Sequence, residues 1–294
     1  SLVESYLSAN GLPIHQVENT MYKGDKWFFD EFADRDPRLY DNIDKEGLRL
    51  EGTVAVYAAT GYFAHLFVNP DLKTVPGGMS STNITDAPVM KLNEVMMNYI
   101  EAAAELADMG QYTLTQGDFD KTINALRNRP STSMPAVTLA GSNLSVNGVT
   151  INDPDRDKGQ MKSGDYEVSP ILWEVRRERR TELPYQGIRF NDLRRWGKLH
   201  YADMKVNPKL NLGAWLDKDA YVAWYNEQNG TSLTVEDLKG IHLDREGNAG
   251  YIVPAIDASL LRTCEDKHYL YPIPSQEIAL YQSNGYTLSQ NPGW

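Results

Sequence analysis

The sequence has a single cysteine, Cys264, so no disulfide can form within the chain and no cysteine-rich zinc site can be assembled. No apolar run approaches the roughly 20 residues that a membrane-spanning helix needs. The glycine-rich dinucleotide and phosphate loops, the nucleophile elbow and the HExxH signature are all absent. The five histidines (His15, His65, His200, His242 and His268) are scattered, and lone histidines are ordinarily surface or core residues. Positive charge is also scarce: 29 Lys and Arg stand against 40 Asp and Glu, a formal net charge of −11. Such a surface repels phosphate backbones and anionic head groups, which argues against nucleic acid and direct membrane-surface binding. Neutral ligands carry no such penalty. The opening residues, Ser1 to Tyr6, lack the basic start and apolar stretch of a signal peptide. Nothing in this inventory calls for a metal or a cofactor.

What remains is a globular composition, 41% hydrophobic and 23% charged over 294 residues, enough for a sizeable core. No low-complexity tract, repeat or clear boundary appears, and the chain reads as one domain over 1–294. Residues 1–90 are rich in turn signals, with short strands expected within 52–68 from Val54, Val56, Tyr62 and His65. A helix is expected over 87–108, capped by Asp86, with Leu92, Val95, Met96, Tyr99, Ile100, Ala103 and Leu106 as its apolar face. A second, over 115–128, opens on the Thr115-x-x-Asp118 capping signature, and the short link makes the pair a hairpin. Asn147-Gly148 predicts a tight β-turn. Ser169-Pro170 predicts the cap and first position of a third helix, and 190–196 a short one stopped by Gly197. Helix is also expected over 217–228 and 235–239, and the tail reads as irregular.

Asp153, Asp155 and Asp157 alternate as in a calcium loop, but the glycine falls one place late and Gly164 stands where a carboxylate is needed. The stretch reads as a solvated acidic turn. Three sequons, at Asn83, Asn143 and Asn229, are close to the number expected by chance. In the charge-dense run 173–182, Glu174, Glu178 and Glu182 lie four apart on one helical face. Acid and base interleave there, so a structural ion-pair network is favoured over a nucleic-acid patch. Its members are Glu178, Arg179 and Glu182 with Arg189, Asp192, Arg194 and Arg195.

Aromatic residues make up 10% of the chain, with 17 tyrosines. Sugar rings have apolar C–H faces and polar edges, so their sites combine flat aromatic platforms with amides and carboxylates. Loop aromatics are the informative ones, because no helix face recruits them. The candidate platforms are Tyr22, Trp27, Phe28, Tyr57, Tyr62 and Trp215, with Phe29 beside Phe28. Tyr221, Trp224 and Tyr225 follow helical spacing and read as core.

Three segments resemble the SusD/RagB family. The first is E-R-R-T-E-L from Glu178 to Leu183, continuing as G-I-R-F-N-D-L-R-R-W from Gly187 to Trp196. The second is Y-L-Y-P-I-P from Tyr269 to Pro274, with Glu277-Ile278 and the terminal Q-N-P-G-W. The third is Asp86-Ala87-Pro88-Val89 leading into Glu94-Val95 and Tyr99-Ile100-Glu101-Ala102, with I-N-A-L-R from Ile123 to Arg127. Pro184 and Gln186 depart from the family pattern. The resemblance implies a mainly α fold of tetratricopeptide-type helix pairs, with a loop-rich part carrying the ligand surface and little β. It implies a non-catalytic, lipid-anchored outer-membrane protein that binds oligosaccharides and passes them to a SusC-like TonB-dependent transporter. It also places the start of this chain about halfway along such a protein, with earlier helices and the anchor outside it. It carries over no ligand-contacting residue. A peptide ligand and a glycoside hydrolase fragment are the alternatives left open.

Overall fold

The computed structural model describes residues 2–64, 66, 70–72, 88–159, 166–254 and 261–294. The expected cap Asp86, His65, the Asn83 sequon and Gly164 lie outside the described residues. The chain forms two compact units, Ser1–Gln186 with Gly213–Pro254, and Gly187–Leu212 with Ala255–Trp294. Helix dominates and β-structure is confined to two small sheets among the described residues.

The first unit begins with three short helices, α1 (Leu2–Ser5), α2 (Phe28–Phe32) and α3 (Arg38–Asn42). Short helices leave many carbonyls without an intrahelical partner, and buried carbonyls must be satisfied. Arg35, 2% exposed, meets this need by donating to the carbonyls of Glu31 (2.6 Å), Val3 (2.7 Å) and Tyr6 (2.9 Å). The strands expected within 52–68 are absent among the described residues; the segment's one pairing there is an isolated bridge between Ile43 and Ala64. The chain curls instead, through bonds such as Gly61 N–H to Ala58 O, and leaves Val56 and Tyr57 exposed.

Helix α4 (Leu92–Asp108) starts five residues later than expected, with Lys91 at the cap position. Its buried side is also rotated: Met97, Ile100, Glu101, Ala103 and Ala104 face inward, while Leu92, Val95, Tyr99 and Leu106 are exposed. A hydrophobicity pattern cannot anticipate this, because Glu101 is buried beside the Arg179 guanidinium at 3.5 Å. The next expected helix is split into α5 (Gln116–Asp120) and α6 (Ile123–Arg127). Thr122 breaks it, adopting φ −125° and ψ −95° and turning its hydroxyl onto the Asp118 carbonyl at 2.5 Å. The Thr115–Asp118 capping box is present as expected. So is the turn at Asn147-Gly148, whose φ values of 50° and 80° join β2 (Asn143–Val146) to β3 (Val149–Thr150), beside β1 (Thr138–Ala140).

Helix α7 (Pro170–Glu182) is capped by Ser169, whose hydroxyl accepts from Leu172 N–H at 3.3 Å. It packs against α1, α3, α4 and β2 and is the hub of the unit. The chain returns as β4 (Trp215–Asp217), α9 (Lys218–Asn229) and β5 (Ala249–Tyr251), with β4 and β5 antiparallel. These elements share a core with the first segment, in which Tyr6, Phe28, Phe32, Leu39 and Leu50 meet Leu216, Tyr221 and Leu238.

In the second unit, α8 (Arg189–Arg195) stops before Gly197 as expected. Its core is Leu193, Trp196 and Leu199, lined by Tyr201, Cys264 and Tyr269. The tail, expected to be irregular, contains α10 (Ser275–Ser283), which buries no residue and therefore has no amphipathic signature to betray it.

Candidate functional site

The first unit carries an aromatic cleft lined by Trp27, Phe28, Phe29, Trp215, Asp217 and Trp224, among others. Residues of 27–29, of 47–48 and of the continuous β4–α9 stretch build it. Strand alternation sends Leu216 into the core at 1% exposure and leaves its neighbours Trp215 and Asp217 half-buried on the other side. Trp27 is extended at the start of α2, at φ −143° and ψ 130°. From there Phe28 turns inward and stacks on Phe32 at 4.3 Å, while Trp27 and Phe29 stay partly exposed. Helix α9 supplies Trp224 and is tied down by its tyrosines: Tyr221 donates to Leu48 O at 3.2 Å and Tyr225 to Thr53 O at 2.8 Å. The ring centres of Phe29 and Trp224 are 5.1 Å apart, and those of Trp27 and Trp224 are 6.2 Å apart. The result is an apolar wall with a carboxylate in its lining.

Beside the wall, Lys26 sits over two rings, 3.9 Å from the Trp215 centre and 4.3 Å from that of Tyr251. Its ammonium donates to the Tyr251 hydroxyl at 2.7 Å and lies 3.1 Å from Asp25, which in turn accepts from Tyr251. Burial pushes the Asp25 carboxyl up, but the hydrogen bonds from Tyr251 and Lys26 outweigh it and hold the group below its ordinary range. Arg245 lies 5.0 Å from the Trp215 ring centre and pairs with Asp244.

Of the six aromatics expected as platforms, Trp27, Phe28 and Trp215 line this cleft, with Phe28 serving mainly as core at 5% exposure. Tyr22 and Tyr62 lie elsewhere, on a buried network. Tyr62 donates to both oxygens of Glu31 at 2.7 and 2.9 Å, and the Arg35 guanidinium is 5.3 Å from the Tyr22 ring centre. Desolvation pushes the Glu31 carboxyl up to about 7. Tyr57 is 50% exposed and is not among the lining residues. Trp224 reads as core from its helical spacing yet lines the cleft. Asp217, Lys26 and Tyr251 carry no sequence signal, because the β4–β5 pairing sets Tyr251 opposite Trp215, and Lys26 joins them only through its contacts with those two rings.

The charge-dense helix α7 is buried for most of its length. Glu178 pairs with Arg127 (2.8 Å) and Arg38 (2.8 Å), and Glu182 with Arg38 (3.0 Å) and Arg129 (2.7 Å). Arg179 reaches Asn98 at 2.7 Å. These partners come from α3, α4 and α6 and the residues after it, whereas Asp192 pairs with Arg195 (2.8 Å) in the second unit. The acidic turn is also occupied by protein groups: Asp153 accepts from Trp173 and Arg177, Asp155 lies 2.6 Å from His15, and Asp157 accepts from Gly159 N–H.

The model of the SusD family matches residues 1–294. The chain belongs to the SusD family. Among solved structures it is similar to a SusD-like carbohydrate-binding protein from Bacteroides fragilis, with 26% identity and a TM-score of 0.50. The match covers 94% of this chain and 45% of that one, so the chain spans less than half the length of that relative. No curated protein is significantly similar. In this SusD-family chain the segments that carry the family resemblance are packing elements. The first half of the E-R-R block is the buried α7. The second half forms α8, where Arg194 donates to Tyr269 O at 2.9 Å and lies 3.9 Å from the Tyr271 ring centre. Arg189 lies 5.2 Å from the ring centre of Trp196. The terminal tryptophan is clasped as well, Trp294 Nε1 donating to Lys267 O at 2.9 Å. No helix among the described residues is long and apolar enough to cross a membrane.

Proposed function

We propose that this chain binds oligosaccharides in the aromatic cleft of its first unit without cleaving them, as part of a surface-exposed, lipid-anchored SusD-like protein. We further propose that the protein passes its ligand to a SusC-like TonB-dependent transporter, and that both compact units belong to one SusD-like domain. The observation that carries the reading is the convergence of Trp27 with Trp215 and Trp224, from two distant parts of the chain, on one cleft with Asp217 in its lining. Flat rings pack on sugar C–H faces, and a carboxylate accepts from hydroxyls. The similarity to a carbohydrate-binding SusD-like protein supports the same ligand class.

The test is calorimetric titration of the protein against a panel of neutral and acidic oligosaccharides, with Trp27→Ala beside the wild type. Loss of one platform is expected to weaken binding at least tenfold, about 1.4 kcal/mol. Reducing-end-labelled ligand is expected to stay intact. Shortened products would overturn the non-catalytic part, and Trp27→Ala binding as tightly as wild type would overturn the site.

A further inference from the structure

The cleft has an uneven charge balance. Both cations near Trp215 already have a carboxylate: Lys26 has Asp25 at 3.1 Å, and Arg245 has Asp244 at 2.9 Å. The nearby Lys218 ammonium is turned inward, donating to the carbonyls of Leu238 and Ile241 at 2.9 Å each. Asp217, in the cleft lining, has no basic partner within 4 Å among the described residues. It uses Oδ1 to accept from Ala220 N–H at 3.0 Å, which caps α9. Its second oxygen has no protein donor among the described residues. A half-buried carboxylate oxygen beside an aromatic wall is an acceptor for a hydroxyl and a repulsive neighbour for an anion.

We infer that Asp217 determines the specificity of the cleft, accepting from sugar hydroxyls and excluding uronate- or sulfate-bearing units, so that the ligand class is uncharged glycans. This rests on the oligosaccharide-binding reading above. Lys26 and Arg245 do not reverse the selection, because each is neutralised at contact distance by its own acid.

The substitution Asp217→Asn separates the two roles of the side chain. Asparagine caps helices as well as aspartate does, so Ala220 N–H keeps its acceptor while the charge is removed and the second oxygen is replaced by a donor. The probes are neutral hexasaccharides of glucose, mannose and galactose, and the same hexasaccharides oxidised at C6 to carboxylates. Wild type is expected to bind the best neutral probe at least tenfold more tightly than its oxidised form in low salt, with the gap narrowing as salt is raised. Asp217→Asn, at unchanged melting temperature, is expected to weaken the neutral probe about tenfold and close the gap. If Trp27→Ala abolishes binding while Asp217→Asn leaves both affinity and discrimination as in wild type, the inference fails and the oligosaccharide reading stands. Equal wild-type affinity for the neutral and oxidised probes likewise overturns the inference alone. Silence toward every probe overturns the oligosaccharide reading itself, and indifference to Trp27→Ala overturns its placement in this cleft and the inference with it.

Discussion

Glu178 offers a sharp test of how this fold is held together. Its carboxylate is 1% exposed and receives two arginines, Arg127 through both Nε (3.3 Å) and Nη2 (2.8 Å), and Arg38 at 2.8 Å. Burial alone would push the carboxyl up, but Arg127 and Arg38 outweigh it and hold it down to about 2, against an ordinary 4.5. At about 1.4 kcal/mol per pH unit, such a depression is worth about 3 kcal/mol of stability. The sign follows from linkage: a depressed acid contributes fully above about pH 4.5, and the contribution is lost as pH falls toward 2. Glu178→Gln keeps the shape and removes the charge, leaving the buried Arg127 guanidinium without its carboxylate while Arg38 keeps Asp36 and Glu182. Breaking a buried pair from one side costs about 3–5 kcal/mol, which agrees with the pH figure. Urea unfolding followed by tryptophan fluorescence at pH 7 and pH 3 measures both. We expect the variant to lose about 3 kcal/mol or more at pH 7 and to show a shallower loss than wild type on acidification. A deficit under about 1 kcal/mol at pH 7, or parallel pH curves, would refute the assignment of Glu178 as a charged keystone.

Glu31 behaves in the opposite sense. Desolvation pushes its carboxyl up to about 7, so its contribution is complete below about pH 4.5 and is lost as pH rises toward 7. Glu31→Gln is expected to flatten the stability curve over that window and to gain up to about 3 kcal/mol at pH 8 in the same unfolding assay. Arg35 is not stranded by this change, since its donors go to main-chain carbonyls. Gly213→Ala would bring a Cβ within 2.4 Å of Thr60 O, just before β4. It is expected to cost about 3 kcal/mol and to weaken ligand binding by displacing Trp215, which thermal melting and titration would register.

Much of the fold was legible wherever local chemistry decides local structure. The Ser169-Pro170 start of α7, the Thr115–Asp118 capping box and the Asn147-Gly148 turn stand where their side chains and φ preferences put them. Pattern misleads where tertiary contacts override it. The buried face of α4 includes Glu101 beside Arg179, so counting apolar residues finds Ile100 and Ala103 but adds the exposed Leu92, Val95, Tyr99 and Leu106. Thr122 splits a helix through one hydroxyl, and α10 is invisible because it buries nothing. The candidate site divides in the same way. Loop position correctly singles out Trp27 and Trp215 as residues that are not absorbed wholly into the core. Helical spacing places Trp224 and Tyr221 with the core, against which both pack, but does not show that both also line the cleft. Asp217 is unreadable in sequence because its meaning comes from what does not pair with it.

The unusual number of buried cations follows from the shortness of the elements. Helices of four or five residues supply few internal partners for their carbonyls, and loops supply fewer. A long cationic side chain can reach several chain segments at once, as Arg35 does across 28 to 32 positions of sequence. Arg127 does the same, joining Glu178 to Pro135 O at 3.0 Å, and Lys218 closes the carbonyls of Leu238 and Ile241 beneath α9. Each of these groups holds irregular backbone in one conformation, where a regular element would use its own ladder. Trp27 and Trp215 sit on such backbone, at an extended residue before a five-residue helix and on a three-residue strand. Buried charge therefore fixes this backbone alongside apolar packing, and a surface already held in one conformation need not be ordered at each binding event.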